Sequence, residues 1–110
     1  MIEEFKVIDI GHKGHSIDRA LTELEIAISD SIFSGKTRAI KVIHGHGTGA
    51  LKKGVREWCD YQQGRFQAVV YGEDYSLFNS VAANMRADCG SPSDHDLEKG
   101  NGAITYIWLW

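Results

Sequence analysis

The chain has 110 residues, 43% of them hydrophobic and 25% charged, with a net charge of −3; that is enough for one globular domain and too little for two cores. Its N-terminal stretch, MIEEFKVIDI, has acids where a secretory leader carries bases, and no window approaches a membrane span. Cys59 and Cys89 stand outside any disulfide framework and read as reduced thiols, so the expectation is a cytoplasmic protein with no membrane partner.

Phe5 to Ile10 (FKVIDI) is short, β-branched and followed by the glycines of GHKG, which predicts a strand. Ser16 is then a good N-cap, with Asp18 complementing the dipole of a helix. Ile17, Ala20, Leu21, Leu24, Ile28 and Ile32 follow at helical spacing, and Gly35 stands where a C-cap glycine belongs. Ala39 to Ile43 (AIKVI) predicts a second strand. A second helix starts at about Gly49, with Leu51, Val55, Trp58 and Cys59 on its apolar face. Phe66 to Tyr71 and Ala103 to Leu109 predict the last two strands. Two βαβ units with right-handed crossovers place both helices on one face of a mainly parallel sheet, in a single domain over 1–110.

Between the last two strands lies an acidic insertion, Gly72 to Asn101. It holds six acids (Glu73, Asp74, Asp88, Asp94, Asp96, Glu98) against two bases, or −4, and leaves ten bases and nine acids, +1, elsewhere. The overall charge therefore does not exclude a basic site on the remaining chain. Leu77, Phe78, Val81, Ala82 and Met85 predict one short helix in its first half. The second half, DCGSPSDHDLEKGNG, has loop composition, in which Asp94-His95-Asp96 reads as a solvated surface. A lid, a surface for a protein partner and a mimic of phosphate charge all remain open as roles for the insertion.

The stretch IHGHGTGALKKGVREW, Ile43 to Trp58, carries the chemistry. The loops after the first two strands leave from the same, carboxyl-terminal edge of the sheet, where α/β proteins tend to place ligands. One loop offers Asp9, His12, Lys13 and His15. The other offers His44, Gly45, His46, Gly47, Thr48 and Gly49, with Lys52, Lys53 and Arg56 within the next two turns. Amides of a glycine-rich turn, continued by free amides at a helix start, bind an anion such as phosphate. A Walker loop is excluded because Lys52 stands three residues after Gly49, and the dinucleotide fingerprint fails because the loop reads GxGxG. The glycines alone are equally served by a tight strand-to-helix turn.

The whole stretch is more specific. It resembles the Smr domain, the small MutS-related module, whose pattern HGxGTGxL followed by a basic amphipathic helix is matched by His44, Gly45, Gly47, Thr48, Gly49 and Leu51. The resemblance covers about Phe5 to Tyr71 and returns at Gly102 to Leu109. It implies a two-layer α/β sandwich like the C-terminal domain of a translation initiation factor, with a mixed four-stranded sheet and two helices on one face. It also implies nucleic-acid binding, with DNA nicking or RNA cleavage in several members, activities associated with an acid in a first-strand LDxH or LDxR motif. Here that motif reads Ile8-Asp9-Ile10-Gly11: the Asp is kept, the basic residue is absent, and His12 follows one position later. His12 could substitute for it, but in a strand a shift of one turns a side chain to the opposite face.

The expectation is thus a nucleic-acid-binding domain, either an endonuclease or a non-catalytic adaptor on structured nucleic acid or the ribosome; a small-molecule phosphate enzyme ranks behind both. As an endonuclease it would use Asp9, His44 and His46 for chemistry. His12, Lys13, Gly45, Gly47, Thr48, Gly49, Lys52, Lys53 and Arg56 would hold the nucleic acid. Asp9 could equally cap backbone amides, and His44 could equally stabilise the turn. No cofactor is required by these residues, but the pairs His12/His15 and His44/His46 make a divalent metal a separate possibility. Tyr106, Trp108 and Trp110 alternate along the last strand, suited to sheet packing, a dimer contact or base stacking.

Overall fold

The computed structural model describes residues 4–110, so the first residues of the acidic N-terminal stretch lie outside it. The order is β1 (Phe5–Asp9), α1 (Ile17–Ser34), β2 (Ala39–Ile43), α2 (Ala50–Asp60), β3 (Ala68–Tyr71), a 3-10 turn (Gly72–Asp74), α3 (Ser80–Asp88), α4 (Asp96–Lys99) and β4 (Ile104–Trp108). No described helix is long and apolar enough to cross a membrane.

The ends of α1 follow from its caps. The Ser16 hydroxyl accepts from the Arg19 amide at 3.2 Å, and Gly35, at φ +68°, returns its amide to the carbonyls of Ser31 and Ile32. Ala20, Leu24 and Ile28 are buried, whereas Ile17 and Ile32 are exposed. Ser31 is buried in Ile32's place, which its hydroxyl tolerates by donating to the Ala27 carbonyl at 2.8 Å. In α2, Val55 and Cys59 are buried and Leu51 and Trp58 pack against them.

The strands are ordered β1-β2-β4-β3. β1 and β2 are parallel, while β4 is antiparallel to both β2 and β3. The sheet is mixed, and the reading of a mainly parallel one is corrected to a single parallel pair. The reason lies in the insertion: β3 leaves at Gly72 and the chain returns beside it, the Asn101 amide donating to the Gly72 carbonyl at 2.8 Å. The two strands are thus a hairpin with a long excursion at its tip. It opens at the same edge as the ends of β1 and β2, since Asp9 pairs with Ile43, Ile43 with Ile104, and Tyr71 with Thr105.

Two cores result. On one face α1 and α2 cover Ile10, Ile40, Val42 and Ile107. On the other the insertion covers Ala39, Val70, Ile104 and Tyr106 with Tyr75, Ala82, Met85, Cys89 and Leu97. Each fully buried side chain of the Met85 kind contributes about 1.5–3 kcal/mol, so the insertion is an integral layer of the fold. Its helix begins later than its apolar spacing predicts. Asn79 caps α3 by accepting from the Ala82 amide at 3.1 Å, which leaves Leu77 and Phe78 ahead of the helix and exposed, Phe78 fully.

The second half of the insertion corrects the reading of a solvated loop. α4 forms there, and Asp94 and Asp96 turn inward to Lys41, the central residue of β2. The Lys41 ammonium donates to Asp94 at 2.7 Å and to Asp96 at 2.5 Å, and these side chains are 7%, 3% and 11% exposed. Tyr106 donates its hydroxyl to the second oxygen of Asp94, and Asn101 its amide to Asp96. Burial alone would lower the lysine's pKa, but the two carboxylates outweigh it and raise it. The other aromatics of the C-terminal segment are also engaged: Tyr106 stacks on Tyr75, Trp108 donates to Asp88, and the Arg38 guanidinium lies 3.7 Å over the Trp110 ring.

Candidate nucleic-acid interface

β1 ends at Asp9, so the chain is already turning where His12 stands. The strand-parity expectation, which placed His12 on the face opposite Asp9, is corrected for that reason: the loop folds the ring back onto the carboxylate. His12 Nδ1 lies 2.7 Å from Asp9 Oδ2 and 3.0 Å from Oδ1, and the Gly11 amide donates to Oδ1 at 3.0 Å. Burial would raise the Asp9 pKa, but the hydrogen bonds from His12 and Gly11 hold it below its usual value. The carboxylate can only accept, so Nδ1 carries a proton, on a side chain 70% exposed.

Gly11 makes this fold-back possible. A Cβ there would lie 2.5 Å from the His44 carbonyl oxygen, so the first loop passes against the second with no room for a side chain. The Gly11 amide also donates to the Ile43 carbonyl at 3.1 Å.

His44 is buried and holds the second loop. Its Nδ1 is 3.0 Å from the Gly45 carbonyl, which only accepts, so Nδ1 donates. Its Nε2 then accepts from the Thr105 hydroxyl at 2.9 Å, and that oxygen accepts from Arg56 Nε at 3.1 Å. Burial lowers the imidazole's pKa, with help from the cations of Arg56 and Lys52 against the Gly45 hydrogen bond and Glu73. Both ring nitrogens are engaged inside the protein.

Beyond His44 the loop opens outward. Gly45, Gly47 and Gly49 have φ of +77°, +42° and +87°. Gly49 caps α2 without a side chain, and the first turn of α2 holds no acid. The Thr48 hydroxyl accepts from the Ala50 amide at 3.3 Å. His46, Gly47 and Thr48 are exposed. Together with Gly11 and His12 this loop lines a depression of about 450 Å³. Space is open around a Cβ at Gly47, so the left-handed backbone alone opposes replacement. Gly47→Val is expected to stay folded and lose about 1–2 kcal/mol, read from the urea midpoint.

The expected basic residues divide into two groups. Lys13 and Lys53 are exposed, within 3.6 Å of Glu23 and 3.9 Å of Glu57 respectively. Arg56 is 12% exposed: its guanidinium forms a bidentate pair with Glu73 at 2.6 and 2.9 Å and lies 3.9 Å over the Tyr71 ring. Lys52 lies 3.6 Å from the same Glu73. Arg56, with burial opposing, pulls the Glu73 carboxyl down to about 2. Part of the insertion's negative charge thus covers part of the core's positive charge, through a residue that sequence reading missed. Thr105 was missed as well; its signal was the one threonine in the aliphatic and aromatic run ITYIW.

The four loop histidines go separate ways: His12 to Asp9, His15 to within 3.3 Å of Glu23, His44 inward and His46 to the surface. Among the described residues no three His, Cys, Asp or Glu side chains converge on a metal position.

Comparison with known proteins bears on this geometry. The Smr domain family matches residues 12–73, more than half of the chain, beginning just after β1 and Asp9. The endonuclease MutS2 of Brevibacillus brevis is 33% identical over 51 residues and that of Finegoldia magna 40% over 50 residues. The putative endonuclease MutS2 of Bacillus subtilis is 36% identical over 50 residues. Each match spans 46% of this chain and 6% of the relative, so the chain corresponds to a small part of those proteins. The crystal structure of the Smr domain of Thermus thermophilus MutS2 superposes with a TM-score of 0.61 at 21% identity, covering 96% of this chain and 98% of that one, and so shares the fold. With the HGHGTG loop, its basic helix and the fold all in agreement, the chain belongs to the Smr domain family.

Proposed function

We propose that this Smr domain binds DNA or RNA at the joint edge of its first two loops and cleaves a phosphodiester there. The observation that carries this reading is the Asp9–His12 pair at the rim of the glycine-loop depression, with Nδ1 on the carboxylate and the ring itself exposed. The glycine-loop amides and the acid-free start of α2 suit a phosphate, which Lys53, Lys52 and Lys13 would help to hold. His12 then takes a proton from the attacking water or ribose hydroxyl, and Asp9 keeps its ring in the right tautomer. His44 enters as the anchor of the loop and Arg56 as its brace, instead of the proton transfer and phosphate contact expected from sequence. His46, exposed beside the loop, is the group left to assist the leaving oxygen. The same name on the relatives, endonuclease MutS2, supports the reading.

The deciding experiment incubates the protein with labelled branched, gapped and hairpin DNA and RNA, with and without divalent cations. Turnover on any of them supports a nuclease; salt-dependent binding that leaves every substrate intact supports an adaptor. Binding itself is tested by replacing Lys52 and Lys53 with Ala. The double variant is expected to stay folded and bind more weakly. Its log affinity should fall less steeply with log salt, by about 0.7–0.9 for each phosphate that the variant no longer neutralises. An unchanged slope in a folded variant places the nucleic acid elsewhere.

A further inference from the structure

We infer that the free edge of β3, with the acidic groove beside it, docks an extended basic segment of a partner protein, which joins the sheet as a fifth strand. β3 ends the sheet and pairs with β4 alone. Its sequence, AVVY, carries none of the charges or prolines with which proteins usually blunt such an edge. The groove against it, about 410 Å³, is lined by β3, Asp60 of α2, and Asp74, Asn79 and Val81 of the insertion. The insertion thus builds one wall of the groove, and next to it Leu77 and Phe78 stand exposed.

The charge selects the occupant. Asp60 and Asp74 are exposed and form no ion pair with any described residue. Nucleic acid would meet these carboxylates with its phosphates. A second copy of the chain, pairing β3 with β3, would set the same acids against each other. A strand with lysines or arginines flanking small apolar residues satisfies the open backbone, the valines and the carboxylates together. This site shares no residue with the glycine-loop depression, so its fate is independent of the nuclease reading.

The test titrates the full chain with a short blocked peptide of alternating valine and lysine, and with its valine–glutamate counterpart, while amide NMR signals are followed. Saturable shifts at Ala68 to Tyr71 and around Asp74 are expected from the lysine peptide alone, with slower hydrogen exchange along β3. Asp60→Lys with Asp74→Lys should weaken that binding roughly tenfold. Absence of saturable shifts, equal binding of both peptides, or shifts centred on Gly45 to Gly49 would each overturn the proposal. So would β3 shifts that depend on protein concentration without peptide, since they would assign the edge to a second copy.

Discussion

Lys41→Met is expected to cost about 3–5 kcal/mol of folding stability, the usual cost of stripping a buried carboxylate of its cation. The substitution keeps most of the side chain's volume, so it isolates the charge. It leaves Asp94 and Asp96, 3% and 11% exposed, facing each other without the ammonium that both hydrogen-bond. Against a total stability of ~5–15 kcal/mol for a domain of this kind, that loss brings the chain close to unfolding. Adding Asp94→Asn and Asp96→Asn should recover much of it. Both new side chains are neutral, and both keep an acceptor oxygen for Tyr106 and Asn101. The pH dependence has a definite sign. Burial would raise the Asp96 pKa, but Lys41 and Asn101 hold it low. Its contribution is therefore present above the ordinary carboxylate range and is lost as pH falls through the lowered value. Lys41 is raised, so its contribution is present below the ordinary lysine value of 10.5 and is lost as pH rises through the higher one. In Lys41→Met, Asp96 loses the cation that holds its pKa low, so the deficit relative to wild type should shrink on acidification. Urea midpoints across the acid range read this directly. A loss under ~1 kcal/mol, constant with pH, would show that the cluster does not clamp the insertion to the sheet.

This cluster also marks where sequence reading stops. The caps of α1 and the span of β2 were legible because their determinants are local: a hydroxyl, a left-handed glycine, an alternation of β-branched residues. Lys41 sat in plain view in the middle of AIKVI, but only the distant Asp94 and Asp96 explain it, and nothing local signals that pairing. Composition made the second half of the insertion look like a solvated loop because acids and glycines usually are solvated. Here four of the six acids are spent on core cations: Glu73 on Arg56, Asp88 on Arg38, Asp94 and Asp96 on Lys41. At the site the glycine loop was legible from its motif. The partners of His44 and Arg56 were not, since Thr105 and Glu73 reach them only through the return of β4 beside β2. His12 failed the parity argument because parity holds only while a strand continues, and β1 ends at Asp9.

In a cleavage assay on whichever substrate the wild type cuts, His12→Gln is expected to lower the rate about 10²–10⁴-fold while leaving binding nearly intact. Glutamine keeps a polar group of similar reach beside Asp9, and His12 is exposed, so the fold should be unaffected. Asp9→Asn removes the negative charge and lets the side chain present an N–H to the ring, so the Nδ1–H tautomer is no longer enforced and the rate should fall with little change in affinity. His44→Asn behaves differently in this scheme. It disturbs the link from Thr105 to the Gly45 carbonyl and with it the loop, so binding and rate should fall together. If Asp9 and His12 act as one unit, the double substitution should be no worse than the more damaging single one. An additive loss would mean two separate roles. Undiminished cutting by a folded His12→Gln would remove His12 from the chemistry and leave the exposed His46 as the remaining imidazole to test.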